Sequence, residues 1–164
     1  MKDKLPAKRA DKSLAPEAQL KSFLGRFEPK IQKLARSMRT ALRKKFPAAN
    51  ELAYNYPSSV VIGYSPTEGG IDSVVALATR ADGVFLYFNQ GPHLPDPEGI
   101  LMGTGKQTRF IPVDSVRRLA HPAVKALITA AVEASRVPMP ARGRGSLTIR
   151  SSGARKKAAR KPKK

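Results

Sequence analysis

Val84-Phe85-Leu86-Tyr87-Phe88 is the stretch on which the fold turns. It is too short for a helix of ordinary length, rich in aromatic and β-branched residues, and apolar toward both sides, which predicts an interior strand. Immediately before it, Arg80-Ala81-Asp82-Gly83 reads as a tight turn in which Gly83 can take positive φ. Residues 71–80 lead into that turn with an alternating face of Ile71, Ser73, Val75, Leu77 and Thr79. Further upstream Ser58-Ser59-Val60-Val61-Ile62-Gly63-Tyr64 reads as another strand, joined by the loop Ser65-Pro66-Thr67-Glu68-Gly69-Gly70. Downstream, residues 107–113 supply a further strand, with Pro112 marking its end. The run of strands predicts an antiparallel meander.

Helices flank it. Residues 17–46 have a helical pattern interrupted at Pro29, a residue harmless in the first turn of a second helix. After Pro29 the residues Ile31, Leu34, Ala35, Met38, Ala41 and Leu42 make one apolar stripe, and Pro47 ends the helix. Pro122 opens another amphipathic helix, with Val124, Leu127, Ile128, Ala131 and Val132 on its apolar face, running to about Ser135. The expected class is α+β: an antiparallel sheet of about four to five strands with N- and C-terminal helices packed on one face. The folded unit is residues 17–135, preceded by a basic flexible segment at 1–16.

Charge sets the partners. The chain has 164 residues, 31 Lys and Arg against 12 Asp and Glu, and a formal net charge of +19. More than half of that excess lies in residues 136–164, which carry 11 bases and no acid. Such a segment has little to bury against the cost of ordering its backbone, about 1–2 kcal/mol per residue, and is expected to be a disordered Lys/Arg-rich tail. Ala154-Arg155-Lys156-Lys157-Ala158-Ala159-Arg160-Lys161-Pro162-Lys163-Lys164 has the Lys/Ala/Pro composition of nucleic-acid-binding arms. Arg142-Gly143-Arg144 is the centre of an AT-hook, although Gly145 stands where the hook closes with Pro. Arg150 lies between the two. The tail therefore reads as an arm for nucleic acid or another polyanion, either by charge alone or by Arg insertion into a narrow A·T minor groove. A second basic surface is the polar face of the helix after Pro29, with Lys33, Arg36, Arg39 and Arg43 and no acid between Glu28 and Glu51. Its alternative is an ordinary solvated face.

The connection at 89–106 is dense in Gly and Pro. Gly103-Thr104-Gly105-Lys106 is not a P-loop: Ile100 stands where the first Gly belongs, Gln107 follows the Lys, and a strand follows rather than a helix. Backbone N–H groups at Gly103 and Gly105, with Lys106 and Arg109, form a candidate anion-binding loop. The alternative is a loop turned by its glycines with Lys106 in solvent.

The run Leu94-Pro95-Asp96-Pro97-Glu98-Gly99-Ile100-Leu101-Met102-Gly103-Thr104-Gly105-Lys106, followed by Arg109 and a helix opening His121-Pro122-Ala123-Val124, resembles the bacterial YdhG-like family, the domain of unknown function numbered eighteen-oh-one. Glu51-Leu52-Ala53-Tyr54-Asn55-Tyr56-Pro57 and Leu86-Tyr87-Phe88 also fit, so the likeness spans about residues 20–135. It implies a small α+β domain. Some relatives are described as frataxin-like iron chaperones, and most have no known activity.

Chemistry is sparse. Without Cys there are no thiolate ligands, disulfides or cysteine nucleophiles, and only His93 and His121 are imidazoles. The acids of the folded part are scattered. The best local metal trio is His93, Asp96 and Glu98, beside the simpler reading that the two acids cap turns at Pro95 and Pro97. His121 reads as a helix-entry residue, and no Gly-x-Ser-x-Gly elbow exists. Glu51, Tyr54 and Tyr56 precede the first expected strand and either line a small pocket or serve the core. The expectation is a non-enzyme without a catalytic residue, metal or cofactor, with small-ligand or iron handling as the alternative. No apolar run reaches the ~20 residues of a membrane helix. No stretch of signal-peptide length follows the basic N-terminus, so the expected place is the cytoplasm, or the nucleoid if the arm binds DNA.

Overall fold

A computed structural model describes residues 15–150. Three helices and a six-stranded sheet make up the molecule: α1 (Pro16–Leu24), α2 (Pro29–Lys45), β1 (Asn50–Asn55), β2 (Ser59–Ser65), β3 (Val75–Arg80), β4 (Gly83–Phe88), β5 (Arg109–Val113), α3 (Pro122–Ala134) and β6 (Leu147–Arg150). Each helix begins with Pro, whose missing N–H is one the first turn leaves unpaired in any case.

The strand order is β5-β4-β3-β2-β1-β6. β1 through β5 are antiparallel neighbours, whereas β6 pairs parallel to β1, with Glu51 opposite Leu147 and Ala53 opposite Ile149. The class is therefore α+β, but the sheet is mixed and larger than the expected antiparallel one of four to five strands. Two strands make the difference. β1 has no β-branched residue and reads Asn-Glu-Leu-Ala-Tyr-Asn, a poor strand former. It is held in the sheet by ladders on both sides. β6 lies inside the segment expected to be disordered, and its Leu147 and Ile149 pack against the core while Thr148 and Arg150 face the other way. The folded unit thus extends beyond 135 to Arg150. Residues 1–14, nearly all of the expected N-terminal flexible segment, and 151–164, about half of the expected tail, lie outside the described residues.

The interior position of β4 between β3 and β5 is as expected, although one of its faces stays half-exposed. β3 differs: residues 70–72 form a short 3-10 turn, and the strand from Val75 is buried on both faces because Ala76 and Ala78 lie under larger neighbours. Pro112 sits in β5 one residue before its end at Val113, tolerated because β5 is an edge strand.

The core joins one sheet face to all three helices. Val60, Ile62, Tyr64, Val75, Leu77, Leu86, Phe88 and Ile111 meet Leu20 and Phe23 of α1, Met38 and Leu42 of α2, and Leu127 and Ile128 of α3. After β5 the chain crosses that face as α3 and delivers β6 to the opposite edge of the sheet. The long β4–β5 connection is pinned: Leu94 enters the core, and Met102 exchanges two backbone hydrogen bonds with Phe110, at 2.8 and 3.0 Å.

Candidate polyanion-binding surface

The polar face of α2 is only partly available to a ligand. Arg39 is drawn inward, its side chain 14% exposed. Its Nε and Nη2 donate to Glu51 at 2.9 and 2.7 Å, and its Nη1 and Nη2 donate to Glu17 on α1 at 2.9 and 2.8 Å. Burial works to lower its pKa, and the hydrogen bonds and charges of both carboxylates outweigh that and raise it. The hydrogen bond from Arg39 holds the Glu17 carboxyl below its ordinary range, against some desolvation. The Tyr64 hydroxyl donates to Glu51 Oε2 at 2.9 Å; burial, then the Glu51 charge and hydrogen bond, push its pKa well up. Arg39 is thus a structural ion-pair residue, which corrects its expected place among the phosphate-contacting bases. Glu51 serves the core through this pair, and Tyr54 and Tyr56 stack on one another at 5.9 Å.

The remaining bases of α2 are exposed. Lys33 and Lys44 face solvent, Arg36 donates to Gln32 at 2.9 Å, and Arg43 stands 3.7 Å from both Glu17 and Glu51. Folding adds a base from far along the chain. Arg43, Lys44 and Thr40 share a depression of about 520 Å³ with Arg144 and Gly145, and Glu51 lines its inner side. The strap that brings Arg144 there is fastened by Gly145 N–H to the Pro47 carbonyl at 3.0 Å and by Glu51 N–H to the Ser146 carbonyl at 2.9 Å. A second groove of about 440 Å³ between α1 and α2 continues the surface past Lys21 and Arg36. Sequence reasoning held the helix face and the Arg-Gly-Arg segment apart. Only the parallel pairing of β6 with β1 shows that they adjoin.

Arg142 is exposed on the same strap. Arg150, at the end of β6, donates to the Glu68 carbonyl at 2.6 Å. Arg155, Lys156, Lys157, Arg160, Lys161, Lys163 and Lys164 lie outside the described residues.

The candidate anion-binding loop is not assembled as expected. Arg109 turns its guanidinium onto the carbonyls of Thr108, at 3.0 Å, and Gly105, so it is occupied by loop acceptors. Gly103 lies against the Phe110 ring. Lys106 faces another cleft, with His93, Asp72 and Arg136. The trio of His93, Asp96 and Glu98 does not gather either: both oxygens of Asp96 accept backbone N–H groups, Ile100 at 3.0 Å and Leu101 at 2.9 Å. Among the described residues no group of three His, Asp or Glu side chains is placed to hold a metal ion. His121 is the helix-entry residue its position suggests, its Nδ1 accepting the Ala123 N–H at 3.1 Å. Among the described residues no helix is long and apolar enough to cross a membrane.

No family model matches the chain, and neither the curated proteins nor the solved structures contain a match to it.

Proposed function

We propose that this chain is a non-enzymatic, YdhG-like binding module of the cytoplasm that takes nucleic acid or another polyanion on the α2 surface and the basic arm that follows β6. The observation carrying this reading is the convergence of Arg43, Lys44 and Arg144 on one depression. Arg43 stands beside Glu51 and Glu17, whereas Lys44 and Arg144 have no ion pair with any described residue, and a line of phosphates supplies their counter-charge. Lys33 and Arg36 extend the cationic surface along the helix, and the seven bases from Arg155 to Lys164 follow the described residues in sequence. The chemistry is charge neutralisation with counterion release. Nothing in it requires a nucleophile or a metal.

A salt titration of duplex binding tests the reading. Each phosphate neutralised contributes about −0.9 to the slope of log K against log salt. A variant with Arg155, Lys156, Lys157, Arg160, Lys161, Lys163 and Lys164 changed to Gln should lose most of the slope. Arg43→Ala with Lys44→Ala and Arg144→Ala should lose a smaller share of about two to three. Absence of binding by the full chain at low salt would end the nucleic-acid reading.

A further inference from the structure

A third cleft, of about 430 Å³, opens on a different part of the molecule. It lies between the β2–β3 connection, the 3-10 turn at Gly91–His93, the approach to β5 and the C-terminal end of α3. Its size is that of a small-molecule site, about 300–1,000 Å³.

What sets it apart is the state of its polar groups. Loop side chains elsewhere have local work: Asp96 and His121 receive backbone N–H groups, as does Ser115 from Arg117. Around the cleft, the side chains of Asn89, His93, Lys106, Gln107 and Thr108 make no hydrogen bond or ion pair with any described residue. They come from two separate stretches of the β4–β5 connection and face one space.

Charge narrows the ligand. The one carboxylate in the lining, Asp72, is 13% exposed and bonded at both oxygens. Its Oδ1 accepts from Arg136 Nη2 at 2.8 Å and its Oδ2 from Thr67 Oγ1 at 2.9 Å. Lys106 keeps all three donors, and Arg136, itself 73% exposed, keeps the N–H groups that Asp72 does not use. The cleft is therefore net cationic, with amide and hydroxyl groups beside the cations and an apolar wall of Val74 and Ala131.

We propose that this cleft binds a small phosphorylated metabolite with a hydroxyl-bearing body, a sugar phosphate in chemical class. The phosphate takes the charge-assisted donors of Lys106 and Arg136, and the hydroxyls pair with Asn89, Gln107 and Thr108. A phosphate supplies the counter-charge that Lys106 lacks among the described residues, while Arg136, already paired with Asp72, adds only hydrogen-bond donors. This site is independent of the polyanion surface.

Ribose 5-phosphate, ribose and inorganic phosphate are the probes, titrated into the full chain and followed by amide chemical shifts. Ribose 5-phosphate should produce saturable shifts at residues 72–74, 89–93 and 106–108, with at least tenfold higher affinity than either fragment. Lys106→Ala should weaken that binding at least tenfold with an unchanged melting temperature, because Lys106 is exposed and supports no other residue. Lys44→Ala, in the polyanion depression, should leave it unaltered. Shifts confined to the neighbourhood of Arg43, Lys44 and Arg144, equal affinity for inorganic phosphate, undiminished binding by Lys106→Ala, or no saturation would each overturn the assignment.

Discussion

Arg39 of α2 and Glu51 of β1 are joined at two points, Nε to Oε2 at 2.9 Å and Nη2 to Oε1 at 2.7 Å, with Glu51 only 5% exposed. The pair fastens the basic helix to a strand whose residues have little strand propensity of their own. It also sorts the charges of α2 into two kinds. One arginine is spent inside the structure, Arg43 stands at 3.7 Å from the same two carboxylates, and Lys33, Arg36 and Lys44 have no carboxylate partner among the described residues.

Removing one partner should be costly. In Arg39→Ala the Glu51 carboxylate stays buried with the Tyr64 hydroxyl and, at 3.7 Å, the half-exposed Arg43 as its remaining side-chain partners, and stability should fall by about 3 kcal/mol. Changing Arg39→Met, Glu51→Leu and Tyr64→Phe together removes the buried charges and the Tyr64 donor, leaves Glu17 and Arg43 paired at the surface, and should recover most of that loss. Urea unfolding of the two variants beside wild type measures both. A loss under about 1 kcal/mol in the single variant would mean that the pair is solvated and holds nothing.

Tyr64 makes the fold sensitive to alkali. Burial, followed by the Glu51 charge and hydrogen bond, raises its pKa in the folded state. A raised folded pKa gives stability that is complete below the unfolded value of about 10 and is lost as pH climbs above it, since the unfolded chain then releases a proton that the folded chain retains. Urea midpoints should fall as pH rises above about 10. Tyr64→Phe should start lower at neutral pH, lacking the hydrogen bond to Glu51, and should decline less steeply. Parallel declines would assign the alkaline loss to other groups.

The legible parts of the fold were those whose sequence carries its own periodicity. The stripe from Ile31 to Leu42, the Val84–Phe88 run and the helix from Pro122 are each visible because burial on a defined face dictates residue type at a fixed spacing. β1 was not legible. Its core-facing positions are a glutamate, Glu51, and the small Ala53, and the glutamate is acceptable only because Arg39, twelve residues earlier, meets it there. β6 was hidden for a different reason. Four residues of Leu-Thr-Ile-Arg alternation are the whole signal, set among bases that argue for disorder, and their partner lies almost a hundred residues away. The cationic depression inherited that difficulty, because Arg144 reaches Arg43 and Lys44 only through the pairing of β6.

That pairing should fail in Gly145→Ala. A Cβ at this position would fall on the carbonyl of Ala49, which is backbone and cannot swing aside. The strap must lift, breaking the Gly145 N–H bond to Pro47. Overpacking of this kind costs about 1–3 kcal/mol. Amide exchange should show Leu147–Arg150 losing protection while β2, β3 and β4 keep theirs, and the same variant should weaken duplex binding at low salt. Retained protection at Leu147–Arg150 would show that the strap accommodates a side chain.

The anchored strap also decides between the two ways in which Arg142 and Arg144 can meet DNA. A minor-groove hook is a flat extended peptide that enters the groove with both arginines. Here Gly143 has φ of 102°, Gly145 is tied to Pro47, and Arg144 lines a depression shared with Arg43 and Lys44. On the reading proposed above, Arg144 so placed meets phosphates from outside the groove. Replacing Arg142 and Arg144 with Ala should therefore lower affinity for mixed-sequence and A·T-rich duplexes by the same factor and flatten both salt slopes by about one to two. Competition binding with the two duplexes, for wild type and the double variant across a salt series, measures this directly. A selective loss of A·T-tract binding would instead mean that the strap leaves the fold to enter the groove.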